Sequence, residues 1–363
     1  MAPSDPSPAA GNPNRNRRAV LWCLASAVLF GASTPASKLL LDAHIGPLTL
    51  AGLLYLGAAA ATAPAALRER WSLRSAGRRN LGRLAGAILC GGILGPVALL
   101  VALQSTPSAT VSLLLNLETT ATALLAWTLF REHMDARTWL ANALVLAAGV
   151  LLVAPDGFGL AGSAGLVALA CVCWGLDNNL TATIDGFTPS QTTFSKGLVA
   201  GTVNLSLGIA FEAGLPGVGQ VLPALGVGAL AYGLSIVLYI AGAQQLGATR
   251  SQMLFATAPF LGTALGWVAL GEPVLPIQLG SAAVMALALG LLLRSRHEHH
   301  HVHEEARHTH PHRHDDDHHD HDHPDAPSVG WHTHEHQHEP RVHAHPHHPD
   351  LHHRHEHDAE DAD

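Results

Sequence analysis

Apolar runs of about 20 residues, each closed by a short polar stretch, recur ten times between residues 19 and 293. A helix rises about 1.5 Å per residue, so such a run matches the roughly 30 Å hydrocarbon core of a bilayer. The runs are Ala19–Leu41, Leu48–Leu67, Leu84–Leu103, Ala109–Phe130, Thr138–Val153, Ser163–Thr183, Ser190–Phe211, Val221–Ala243, Ser251–Leu270 and Ile277–Leu293. Backbone polar groups must pair within the segment in lipid, so the pattern predicts an all-α integral membrane protein with ten transmembrane helices.

Charge divides the chain into two unlike parts. Residues 1–296 carry 16 Lys plus Arg against 11 Asp plus Glu, whereas residues 297–363 carry 4 Arg, 17 acidic residues and 25 of the 27 histidines. Lys and Arg are retained on the cytoplasmic side of short loops. All 14 arginines of the body fall on one side if the N-terminus is inside, and the five opposite loops have none. The expectation is a multi-pass protein of the cytoplasmic (inner) membrane with both termini cytoplasmic. The first run is too long for a signal-peptide apolar region and is read as retained behind a leader of residues 1–18. Cys23, Cys90, Cys171 and Cys173 lie inside spans and are read as apolar fillers rather than a disulfide framework.

The two halves of the body repeat each other. LLAWTLFREH (124–133) aligns with ALGWVALGEP (264–273), matching Trp127 to Trp267 and Glu132 to Glu272. FGASTPASKLL (30–40) aligns with WGLDNNLTATI (174–184). Five spans per half is an odd number, so the halves run oppositely through the membrane, and an inverted-topology repeat is a carrier architecture. The expected organisation is a leader (1–18), a first repeat (19–154), a second repeat (163–294) and a tail (297–363). On the ten spans, the W-x-x-F-R-E and W-x-x-L-G-E endings of spans four and nine and the Gly-rich starts of the closing spans, the body resembles the EamA-like proteins of the drug/metabolite transporter superfamily. The resemblance implies a secondary carrier of small solutes, usually metabolites or amino acids moving outward. It does not extend to the tail.

An ionisable side chain near the bilayer centre costs about 2.5–3.5 kcal/mol on insertion scales, which makes each one a functional candidate. Glu118 lies near the middle of span four; the alternative is a structural carboxylate bonded through Asn116 or Thr119. Asp177 in span six and Lys196 in span seven fall at similar depth, which predicts an ion pair; the alternative is a Lys196 that snorkels to the headgroups. Asn178 and Asn179 are helix-to-helix glue or part of a binding site. The alignment sets Asp177, Asn178 and Asn179 against Ser33, Thr34 and Pro35, so spans one and six are both expected to lose helical regularity there. Lys38 is expected to snorkel, Glu132 and Glu272 to be solvated loop carboxylates, and the Gly91/Gly95 and Gly262/Gly266 spacings to allow close helix packing. No Ser, His and acid set is arranged for catalysis, so the chain is not read as an enzyme.

The tail lacks apolar mass and is low-complexity, which predicts disorder. Its His-x-His strings include His299, His301, His303, His310, His312, His314, His332, His334, His336 and His338. Imidazoles largely deprotonated at neutral pH, with carboxylates nearby, suit Zn, Ni, Co or Cu. No cofactor is required by anything in the body. Three functions stay open: a carrier of a small polar solute with Glu118 as the coupling group; a divalent metal carrier with the tail as collector; and a membrane-anchored metal store or sensor. The expected partners are the bilayer and a small solute or ion, with no nucleic acid; homodimerisation stays open.

Overall fold

The structure is a computed structural model. It describes residues 13–69, 73–130, 134, 136–154, 158–184, 187–212, 216–246, 254–292, 300–303, 306–312, 332–338 and 341–344. Among these, eight helices are long and apolar enough to cross a membrane: Arg17–Asp42, Pro47–Ala66, Gly77–Ser105, Ser108–Leu129, Ala136–Val153, Ala161–Ala182, Pro189–Phe211 and Val218–Gly242. Two shorter apolar helices, Ala258–Ala269 and Pro276–Leu291, complete the ten in the expected order. Proline opens several of them, at Pro47, Pro189 and Pro259, where its missing N–H removes no intrahelical bond. Span seven is also closed by a capping box: the Thr188 hydroxyl accepts from the Gln191 N–H, and the Gln191 side chain accepts from the Thr188 N–H.

The most extensive helix contacts all join one half to the other. Span two packs on spans seven and eight, span one on eight, span five on ten, span four on six and nine, and span three on six. Exchanging corresponding first-half and second-half spans turns each of these into an observed contact: one on eight becomes six on three, four on six becomes nine on one, and two on eight becomes seven on three. The main core cluster follows the same rule, with Leu50, Leu100 and Val111 from the first half against Val167, Ala224 and Met285 from the second.

Departures from α-helix are also paired. Span three contains a π-helical segment at Ile88–Leu94 and span eight one at Gly228–Leu234, 140 residues later. Span four turns at 115–116, between Ser108–Leu114 and Leu117–Phe130, and span nine turns at 256–257, just before Ala258–Ala269. The expected interruption of spans one and six holds only for span one, where Pro13–Gly31 gives way to Ser33–Asp42. Span six is a continuous helix, Phe158–Ala182, through Asp177, Asn178 and Asn179. The reason is chemical: Pro35 removes a backbone donor, whereas Asn179 keeps its own and sends its side-chain amide to the Gly175 carbonyl one turn back.

In the tail, His300–His303 pairs antiparallel with Arg341–Ala344, and Ala306–His312 with His332–His338. His-x-His alternation has a period of two, which is the period of a strand.

Candidate functional site

Spans four, six and seven bring the polar residues of the membrane interior together. Lys196 Nζ lies 2.5 Å from Asp177 Oδ2, and the Thr181 hydroxyl donates to Asp177 Oδ1 at 3.0 Å. Both Asp177 oxygens are thus engaged, and its side chain is 8% exposed against 19% for Lys196. One residue on, Asn178 Nδ2 donates to Glu118 Oε1 at 2.9 Å, and Asn179 Nδ2 donates to the Thr122 carbonyl at 3.1 Å. The partner of Glu118 is therefore on span six rather than its neighbours Asn116 and Thr119, whose side chains donate to the Leu113 and Asn116 carbonyls. Of the expected site residues, only Pro35 stands apart, buried in span one.

Span three supplies the floor of this cluster. A Cβ built on Gly91 would fall on the Asp177 carboxylate, so glycine is what lets the π-segment approach it. Tyr55 Oη and Trp174 Nε1 both donate to the Gly91 carbonyl, at 2.5 and 3.0 Å, and Asn204 Nδ2 donates to the Gly92 carbonyl at 3.0 Å. Pro96 has no N–H to return to this segment, and the Gly91 and Gly92 carbonyls accept from spans two, six and seven. These three residues carry no composition signal, and the ion pair alone would not have found them.

All three tyrosines stand in one run of aromatic rings between the halves. Tyr55 to Tyr232, Tyr232 to Phe30, Phe30 to Phe255 and Phe255 to Tyr239 have ring centroids 5.8, 5.9, 5.2 and 5.1 Å apart. Phe30 also borders a small cavity of about 10 Å³ lined by Gly31, Thr34, Ser112, Leu115, Ala258 and Pro259. The Ser112 hydroxyl is buried there and has no partner among the described residues.

At the helix ends, glutamates clasp spans across the halves. Glu212, ending span seven, accepts the Leu48 and Thr49 N–H groups at the start of span two at 2.7 and 2.9 Å. Glu272, after span nine, accepts the Ser108 and Ala109 N–H groups at the start of span four at 2.6 and 2.8 Å. Glu69, after span two, accepts the Thr188 hydroxyl at the start of span seven. Glu212 and Glu272 each meet the unpaired backbone donors at the positive dipole end of a helix, whereas Glu69 meets the N-cap hydroxyl of one. Glu272 is therefore not a solvated loop carboxylate; Gly271, at φ +67°, and the Glu272 N–H bonded back to the Gly266 carbonyl turn it onto span four. Glu132 lies outside the described residues. Lys38 does not simply snorkel: its Nζ donates to the Leu103 and Gln104 carbonyls at 3.0 and 3.1 Å, at the end of span three. The glycine spacings pack as expected, with Gly262 against Gly31 and Ser112, and Gly266 against Ser108 and Ala109.

Among the described residues no three metal-ligating side chains converge, and the four cysteines are free. The tail histidines' side chains lie outside the described residues.

Comparison with known proteins places this architecture. Residues 17–154 and 162–294 each match the EamA-like transporter family. An uncharacterized transporter of Methanothermobacter thermautotrophicus is 28% identical over 206 residues, which are 53% of this chain and 59% of that protein. The chain thus matches less than two thirds of that relative's length. A solved crystal structure, 18% identical, superposes with a TM-score of 0.56 over 76% of this chain and 97% of its own, a likeness of fold.

Proposed function

The chain belongs to the EamA-like transporter family, a multi-pass membrane transporter of small solutes rather than an enzyme, and we propose that it is a secondary carrier of a small polar solute, working by alternating access in the direction of export. The observation that carries this reading is the Glu118, Asn178, Asp177 and Lys196 cluster within apolar spans, where spans of opposite halves meet. Charged groups are kept in such a place when they handle cargo or protons. Paired irregularities in spans three and eight and in four and nine supply elements that can rock without breaking a packed helix elsewhere.

In this reading Asp177 and Lys196 hold the cluster in register, while Glu118 exchanges a proton as cargo enters and leaves. The arginine distribution supports a cytoplasmic leader and tail, and in that orientation the ends of spans seven and nine, with Glu212 and Glu272, face outward. The test is solute flux into proteoliposomes under an imposed pH gradient. Wild type responds to the gradient, whereas Glu118→Gln gives flux that ignores it; a gradient response in Glu118→Gln removes the coupling role.

The tail is proposed as a cytoplasmic site for divalent transition metal. Its donor set of imidazoles and carboxylates suits Zn, Ni, Co or Cu, and the strand register sets the Cα atoms of His308, His310 and His312 opposite those of His336, His334 and His332. Metal as cargo has less support, because the interior offers carboxylate oxygens and a lysine ammonium, a poor set for borderline metals. Removal of residues 297–363 is expected to abolish stoichiometric metal binding and leave solute flux intact. Flux that depends on the tail and on metal would instead favour the metal carrier.

A further inference from the structure

The residues joining spans two and three are the most basic stretch of the chain. Residues 68–83 hold six of the 14 arginines of the body, Arg68, Arg70, Arg74, Arg78, Arg79 and Arg83, against one acid, Glu69. Two of these charged groups turn inward: Glu69 accepts the Thr188 hydroxyl at the start of span seven, and Arg83 donates to the Thr183 carbonyl at the end of span six. The ties seat the loop on the adjoining ends of those spans. Arg68, Arg78 and Arg79 are left exposed, and among the described residues none of them has an acidic partner. Gly77, at φ +70° and with open space beside it, turns the chain just before Arg78.

The complementary charge lies in the same chain. Residues 313–331 join the strands Ala306–His312 and His332–His338, and hold six aspartates, Asp315, Asp316, Asp317, Asp320, Asp322 and Asp325, with one arginine, Arg313. Six arginines and one glutamate in the loop thus face six aspartates and one arginine in the tail, net +5 against −5. The arginine distribution supports the same side of the membrane for both. Reach suffices as well: the 20 residues 293–312 separate span ten from Arg313 and extend up to about 65 Å, whereas ten helices at about 10 Å spacing make a body roughly 40 Å across. Tethering holds the segment at about millimolar local concentration, so charge pairs that are weak one at a time act together.

We propose that the aspartate-rich segment 313–331 docks on the arginine loop 68–83 of its own chain, and that divalent metal releases it. His314, His318, His319, His321 and His323 stand among the aspartates of that segment. A metal ion held there takes imidazoles and carboxylates as ligands and adds two positive charges, so two ions offset most of the −5. The release rests on the tail as a metal site; the docking does not.

The test is fluorescence anisotropy of a labelled peptide of residues 313–331, titrated with full-length protein in phosphatidylcholine nanodiscs. Two proteins are compared: wild type, whose own tail covers the loop, and a variant with all six aspartates of the segment changed to Asn, which leaves the loop open. Those changes lie outside the helical body, so its folding is not at stake. The peptide is expected to bind the variant at least tenfold more tightly than wild type. Adding Arg78→Gln and Arg79→Gln to the variant should weaken binding by about tenfold or more, and saturating Zn²⁺ should abolish it. Equal binding to both proteins, or binding indifferent to Arg78→Gln and Arg79→Gln, overturns the docking. So does loss of peptide binding in nanodiscs containing phosphatidylglycerol, which assigns the arginines to the membrane, and so does masking in wild type that fades on dilution, which assigns the segment to a second copy. A peptide that takes up Zn²⁺ and stays bound overturns the release. A peptide that takes up no Zn²⁺ sinks the tail as a metal site and the release with it, while the docking is decided by the arginine variants.

Discussion

Removing one charge of the Asp177–Lys196 pair strands the other in a low-dielectric interior, a loss of about 3–5 kcal/mol in buried pairs, whereas removing both leaves two neutral groups. Asp177→Asn and Lys196→Met are therefore each expected to lower thermal stability sharply, and the double variant to recover most of it; a thermal-shift series in detergent reads this directly. Gly91→Ala acts on the same pair from the other side. The added methyl occupies the place of the Asp177 carboxylate, so overpacking of about 1–3 kcal/mol is expected together with lost flux. The pair itself was legible in the sequence, because depth along two adjacent helices can be counted at 1.5 Å per residue. The partner of Glu118 was not: depth is readable from residue number, but which face of span four meets span six depends on how both helices rotate. Tyr55 and Trp174 escaped for a related reason, since their partner is a backbone carbonyl of span three, and any residue has one.

At the scale of elements, span nine ends through a left-handed glycine. Gly271→Ala strains the φ +67° turn by about 1–2 kcal/mol and swings Glu272 off span four. Glu272→Gln keeps the shape but gives up charge-assisted bonds to Ser108 and Ala109. Hydrogen exchange at the start of span four should rise in both variants, while the start of span two, held by Glu212, stays protected. The spans were legible because lipid admits few structures: a run of about 20 apolar residues has to be a helix. Their π-segments were not, because shifting a backbone bond by one residue changes no side chain and leaves no mark on hydropathy. The matching irregularity expected in spans one and six falls instead on spans three and eight and on four and nine. A polar cluster in a sequence marks chemistry, and Asn179 shows that such chemistry can reinforce a helix rather than interrupt it.

At the scale of the whole molecule, the sequence repeat foretold two halves, but not that they interleave so thoroughly. Repeat spacing says which segments are alike; it carries no information on which touch, and the Glu212 and Glu272 clasps join residues 163 and 164 apart in the chain. In the tail the His-x-His alternation carries both metal donors and the period of a strand. The interleaving has a consequence for how the protein is made. Spans one to five leave the ribosome with their main packing partners still unsynthesised, so the first half waits in the bilayer for the second. A chain stopped after 156 should be cleared by membrane proteases, and co-expression of 1–156 with 157–363 should rescue both pieces and restore flux, because the seam between them is made of helix faces rather than of the loop that was cut. Recovery of a stable, folded 1–156 on its own would count against that order of assembly.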